Sequence, residues 1–179
     1  MNPRPDFGHR LPQVIICCLQ RQWGLKVSLE QSPDLEDRRP VRRVAAIHDF
    51  EVLCREIRNR SRLALDTEFI AEDSYQPNLC LIQVAFDDEL VVIDPFPLGS
   101  VRRFWEAIVE GNVETVVHAG RVDLQFCRDA TGRCPSRIFD IQIAAGFTGQ
   151  EYPAGLANIV QRYLRVNVTK HETRTDWRR

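Results

Sequence analysis

The chain has 179 residues, 44% of them hydrophobic and 27% charged, with a formal net charge of -1. That is enough for one ordinary domain with a core of its own, and it excludes a chain disordered throughout. So balanced a charge gives no global attraction for a polyanion, and a nucleic-acid partner would need a local site.

Residues 1–43 read as a poorly ordered arm and linker. They hold Pro3, Pro5 and Pro12, the apolar run VIICCL, and the charged stretch EQSPDLEDRRPVRR. A short packed helix near Val14 to Trp23 is the other reading of this segment. VIICCL is too short to span a bilayer and no small-residue cleavage site follows it, so no membrane partner and a cytoplasmic location are expected. The six cysteines show neither a CxxC pair nor a Cys/His ligand spacing. They read as reduced thiols, with Cys54, Cys80 and Cys127 serving as small hydrophobes. Lysine occurs only at Lys26 and Lys170, and the remaining cations are arginines, whose forked head suits phosphate.

From Asp49 the periodicity sharpens. Phe50, Leu53, Cys54 and Ile57 stand at helical spacing with Asp49 placed to cap them. A strand follows at about 63–70, then LCLIQVAF and ELVVID flank Asp87-Asp88 as an antiparallel hairpin. VRRFWEAIVEG is a helix with Val101, Phe104, Trp105 and Ile108 on one face, and ETVVHA is a short strand feeding the helix GRVDLQFCRDATG. Asp140 caps IQIAAGF, and a last helix covers about 155–164. A hairpin followed by alternating helices and strands predicts an α/β layer, a mixed sheet with helices against it.

Within the strand LALDTEFI, Asp66 and Glu68 stand two residues apart and so project from one face, roughly 7 Å apart along the backbone. Two like charges partly withdrawn from water cost free energy unless a cation sits between them. Asp123 lies in the first turn of the helix after ETVVHA, where the dipole favours its ionised form. A half-exposed strand end would also account for the first two acids, and the dipole alone for the third. If the three meet, oxygen-only ligands select a hard divalent ion, Mg²⁺ or Mn²⁺.

DTEF at 66–69, Y-x-P-x-LCLIQ at 75–83, IDP at 93–95, HAGRVDL at 118–124 and KHETRTDW at 170–177 occur in the order and approximate spacing of ribonuclease D. Over residues 44–179 the chain resembles a ribonuclease D-type 3'-5' exonuclease of the DEDD superfamily. The resemblance implies a ribonuclease H-like fold and two metal ions, Mg²⁺ or Mn²⁺. Asp66 and Glu68 correspond to the first exonuclease motif and Asp123 to the acid of the second. The implied substrate is nucleic acid, RNA with a single-stranded 3' end, hydrolysed by two-metal-ion catalysis.

The same resemblance places Thr67, Phe69, Gln83, His118, Lys170 and Arg174 beside the substrate. Gln83 and Tyr75 read equally well as packing residues at the hairpin, His118 reads better as a backbone hydrogen-bonder than as a proton-transfer group, and Asp140 as a helix cap. Arg162, Arg165, Lys170, Arg174, Arg178 and Arg179 outnumber Glu172 and Asp176, a local excess suited to a phosphate backbone or simply to water. The family's third motif, Tyr-x-x-x-Asp, is not reached by Arg179. The domain is therefore expected to be C-terminally incomplete, with an apolar patch left on its sheet and little or no turnover from these residues alone. A non-catalytic nucleic-acid-binding remnant is the alternative.

Overall fold

The computed structural model describes residues 39–71, 77–149 and 152–165. Tyr75, Lys170, Arg174, the run from Val14 to Trp23 and the basic positions beyond Arg165 lie outside them.

In chain order the described elements are β1 (Val41–Val44), α1 (Ile47–Ile57), β2 (Arg62–Ile70), β3 (Asn78–Ala85), β4 (Leu90–Ile93), α2 (Pro95–Leu98), α3 (Arg102–Glu110), β5 (Glu114–Val117), α4 (Arg121–Thr131), β6 (Ile138–Asp140), α5 (Ile141–Phe147) and α6 (Leu156–Leu164). The strands form one mixed sheet in the order β1-β4-β3-β2-β5-β6. β2, β3 and β4 are an antiparallel meander, as the turn at Asp87-Asp88 predicts. β1 joins β4 in parallel, and β5 and β6 extend the sheet beyond β2 in parallel.

Helix α1 starts two residues before Asp49. Ala46 is its N-cap and makes no side-chain cap bond, so Asp49 sits inside the first turn and faces the dipole instead of capping. Asp140 does cap α5, accepting from the backbone amides of Gln142 and Ile143.

The sheet separates two apolar layers of unequal size. On one face Phe50, Leu53 and Ile57 of α1 and Phe104, Trp105 and Ile108 of α3 pack on Leu63, Leu65, Ile82 and Val84. On the other, Ile141 and Ala145 of α5 and Leu156, Ile159 and Val160 of α6 pack on Ala64, Ala85 and Val116. Strand alternation makes this division: Leu63 and Leu65 point into the first layer and Ala64 into the second. Cys54 and Cys127 are buried as expected, and burial pushes both thiols up to about 11, which leaves them inert. Exposed apolar side chains gather where β6 ends the sheet: Ile138, Ile143 and Phe147 border an open groove there. No described helix is long and apolar enough to cross a membrane.

Candidate active site

The alternation that buries Leu63 and Leu65 continues along β2. Thr67 and Phe69 follow them toward the first layer, and Asp66 and Glu68 follow Ala64 toward the second. Asp66 stands directly opposite Gln83 of β3, and Glu68 opposite Leu81. Gln83 is therefore a same-face neighbour of Asp66. After Glu68 the register slips: Phe69 pairs with Leu79, which leaves Cys80 as the extra residue on β3.

Asp66 is partly buried, and its Oδ2 is shut off from water with no hydrogen-bond partner among the described residues. Burial pushes its carboxyl well above the ordinary range. The charges of Asp123 and then Glu68 push it further, against a backbone hydrogen bond from Thr67. Asp66 therefore lies close enough to Asp123 and to Glu68 to feel the charge of each. A buried acceptor with no donor, raised by two like neighbours, is the local state that a cation relieves.

Asp123 reaches this place from α4. It is 7% exposed, and its Oδ1 accepts from Thr67 Oγ1 at 2.7 Å. The expected lowering of its pKa by the helix dipole is outweighed by burial. Desolvation raises its carboxyl, and hydrogen bonds from Thr67 and from backbone amides offset this only in part. A dipole contributes a fraction of a kcal/mol at an exposed site, and the loss of water at a 7% exposed carboxylate is the larger effect.

The corner that launches α4 is tightly built. Ala119 has φ +53, a left-handed conformation uncommon for alanine, and a Cβ on Gly120 would lie 2.4 Å from Val117 Cγ2. The carboxylate of Asp140 holds the corner, accepting from Ala119 N at 3.2 Å and Gly120 N at 3.0 Å while it caps α5. His118 Nε2 lies 3.1 Å from Ala154 O, and Gln142 Nε2 donates to the same carbonyl at 3.0 Å. His118 thus holds backbone, as its favoured reading has it. Two roles escape the sequence: the bond of Thr67 to Asp123, and the second duty of Asp140 at the corner. The only signal for the latter is an acid in Asp-x-Gln, which a cap explains equally well.

Phe69 meets Phe126 of α4 edge to face, with ring centroids 5.8 Å apart. Thr67 and Phe69 therefore both face the helix that carries Asp123. Among the described residues no three His, Cys, Asp or Glu side chains are gathered tightly enough to ligate an ion as they stand. The donor set nevertheless fits a hard divalent ion: oxygen ligands only, one of them buried and unpartnered, with mutual repulsion that a cation would offset.

Known proteins resemble this chain in sequence and in fold. The 3'-5' exonuclease family model matches residues 41–179. Ribonuclease D of Serratia proteamaculans is 37% identical over 128 residues, 72% of this chain and 34% of that protein. The Zymomonas mobilis ribonuclease D is 40% identical over 127 residues, 70% of this chain and 33% of that protein. The crystal structure of Escherichia coli RNase D, an exoribonuclease involved in structured RNA processing, aligns at a TM-score of 0.69 and 31% identity, covering 76% of this chain and 36% of that one. The catalytic core of RRP6 from Trypanosoma brucei shares the fold at a TM-score of 0.70 and 24% identity, over 79% of this chain and 39% of that one. The chain spans about a third of the length of the curated relatives it matches. With its mixed sheet, its acids on β2 and α4 and a family match from Val41 to Arg179, the chain belongs to the 3'-5' exonuclease family, and its relatives there are ribonuclease D proteins.

Proposed function

We propose that this chain carries the metal-binding acids of a 3'-5' exonuclease that removes nucleotides from single-stranded RNA 3' ends. The observation that carries the reading is Asp66, whose buried Oδ2 has no donor and whose carboxyl is raised first by burial and then by the charges of Asp123 and Glu68. A protein gains nothing in stability from such an arrangement, and perturbed carboxylates of this kind cluster at functional sites. RNA is preferred as substrate because the Escherichia coli relative, at 31% identity, is an exoribonuclease.

In this reading Asp66, Glu68 and Asp123 hold Mg²⁺ or Mn²⁺. Divalent ions bound there supply charge neutralisation at the scissile phosphate and lower the pKa of the attacking water. The chain's own residues do the placing. β2 fixes Asp66 and Glu68 on one face through its pairing with β3, and the Asp140-braced corner sets the start of α4 and with it Asp123. Gln83, opposite Asp66, is positioned to border the substrate strand.

The test pairs a Mn²⁺ titration with a gel assay on a 5'-labelled single-stranded RNA. Saturable Mn²⁺ binding and slow shortening from the 3' end, both lost in Asp66→Asn, are the expected results. Absence of saturable Mn²⁺ binding would overturn the metal-site reading, and RNA that stays full length while Mn²⁺ is bound would favour the alternative of a binding module.

A further inference from the structure

We propose that Thr67 is a positioning residue that sets Asp123 for the cation, a role that rests on the metal-site reading above. Thr67 occupies a core position: it is 6% exposed and continues the inward row of Leu63 and Leu65. Valine would fill such a place with nearly the same shape and no polar atom. A threonine there buries a hydroxyl, which costs free energy unless it is bonded. Its bond is to a carboxylate at 2.7 Å, the charge-assisted kind and roughly twice as strong as a neutral one.

The geometry makes that bond an orienting one. A β-branched side chain has few χ1 wells, so the hydroxyl of Thr67 is fixed by its strand before Asp123 meets it. Asp123 and Phe126 stand three apart on α4 and share a side of that helix. Thr67 and Phe69 stand two apart on β2 and share a face. The two residues of the strand thus grip the two residues of the helix in register, Thr67 to Asp123 by a hydrogen bond and Phe69 to Phe126 by ring packing. The ring pair fixes the helix against the strand; the hydroxyl fixes the rotation of the carboxylate. Partners that orient a ligating carboxylate in this way typically change metal affinity by about 10–100-fold when removed.

The division of labour gives a discriminating experiment. Mn²⁺ affinity and thermal stability are measured for the full chain and for Thr67→Val, Thr67→Ser, Phe126→Leu and Asp66→Asn, with binding recorded well below each melting temperature. Thr67→Val is expected to weaken Mn²⁺ binding about tenfold or more, and Thr67→Ser, which keeps the hydroxyl, to return it to within about threefold of the parent. Phe126→Leu, which loosens the helix but spares the hydroxyl, is expected to lower the melting temperature and leave Mn²⁺ affinity within the same threefold. Should Thr67→Val fail to fold, Thr67→Ala takes its place against Thr67→Ser. If the variants lose affinity only in proportion to their lost stability, or if Thr67→Val binds as the parent does, Thr67 is a packing residue and the proposal falls. A parent chain that binds no Mn²⁺, or an Asp66→Asn variant that binds it normally, overturns the metal-site reading itself.

Discussion

The two faces of the sheet are unequal, and the inequality runs through a single strand. The largest fully buried side chains, among them Trp105, Phe50, Phe104 and Leu53, all belong to the layer under α1 and α3. The layer under α5 and α6 is built from alanines, Val116 and a few aliphatics, with Ile143 and Phe147 exposed at its border. β2 serves both faces. Its odd positions reinforce the thick layer, and its even positions carry Asp66 and Glu68 toward the thin one, beyond Ala64. On the thick side Asp123, bonded to the inward hydroxyl of Thr67, keeps only 7% of its surface exposed. On the thin side, partly exposed, Asp66 is raised but not sealed. The strand's period of two thus puts large core side chains on one face and Asp66 and Glu68 on the other, with Asp123 reaching in from the thick side through Thr67.

The comparison breaks most visibly under truncation of the core. Trp105→Ala removes the largest buried side chain of the thick face and is expected to cost about 3–5 kcal/mol by urea denaturation. Ile159→Ala on the thin face removes less and leaves short helices able to settle into the gap, so about 2 kcal/mol is expected. Equal losses would mean that the two layers are one cooperative core.

Metal addition comes next. Mn²⁺ at about a hundred times its dissociation constant should stabilise the chain by roughly 2.7 kcal/mol, a gain that Asp66→Asn forfeits. Without metal the order reverses. Asp66→Asn removes a charge that burial and two acids oppose, and at neutral pH it should melt about 2–4 °C higher, the shift that roughly 1 kcal/mol produces in a domain of this size. The pH dependence has a definite sign. Asp66 and Asp123 both have folded pKa values above their unfolded ones, so each ionised carboxylate penalises the fold above its folded pKa. The penalty fades as pH falls from the folded value toward the ordinary carboxylate range. The advantage of Asp66→Asn over the metal-free parent should therefore shrink as pH falls below the folded pKa and vanish by about pH 4. An advantage constant with pH would locate the effect in packing and not in charge.

Much of this was legible in the sequence wherever one residue pattern had one physical meaning. Phe104, Trp105 and Ile108 repeat at helical spacing and are buried in α3; LCLIQVAF and ELVVID alternate about a polar turn and pair antiparallel. β1 and β6 escaped because VRRV and IFD are edge strands of four and three residues, held by the backbone of a neighbour and not by their own pattern. Asp66 and Glu68 stood out as acids inside an apolar run. The direction of the Asp123 shift does not follow from the sequence, because a helical first turn shows there and burial does not. The bond between Thr67 and Asp123 spans 56 positions and has no local signature at all.

The smallest effect separates the faces most finely. Thr148 Oγ1 and Tyr163 OH form a hydrogen bond that ties the end of α5 to α6. Neither residue is fully buried, so Tyr163→Phe should cost about 1 kcal/mol or less. Where that cost appears matters more than its size. If the thin layer opens as a unit of its own, native-state hydrogen exchange should quicken at the amides of α5 and α6 and stay unchanged in α3, whose opening requires the thick layer to come apart. Uniform quickening across both layers would show that α5 and α6 share the stability of the whole, and the acids on that side would then rest on a rigid surface instead of one free to adjust around a cation.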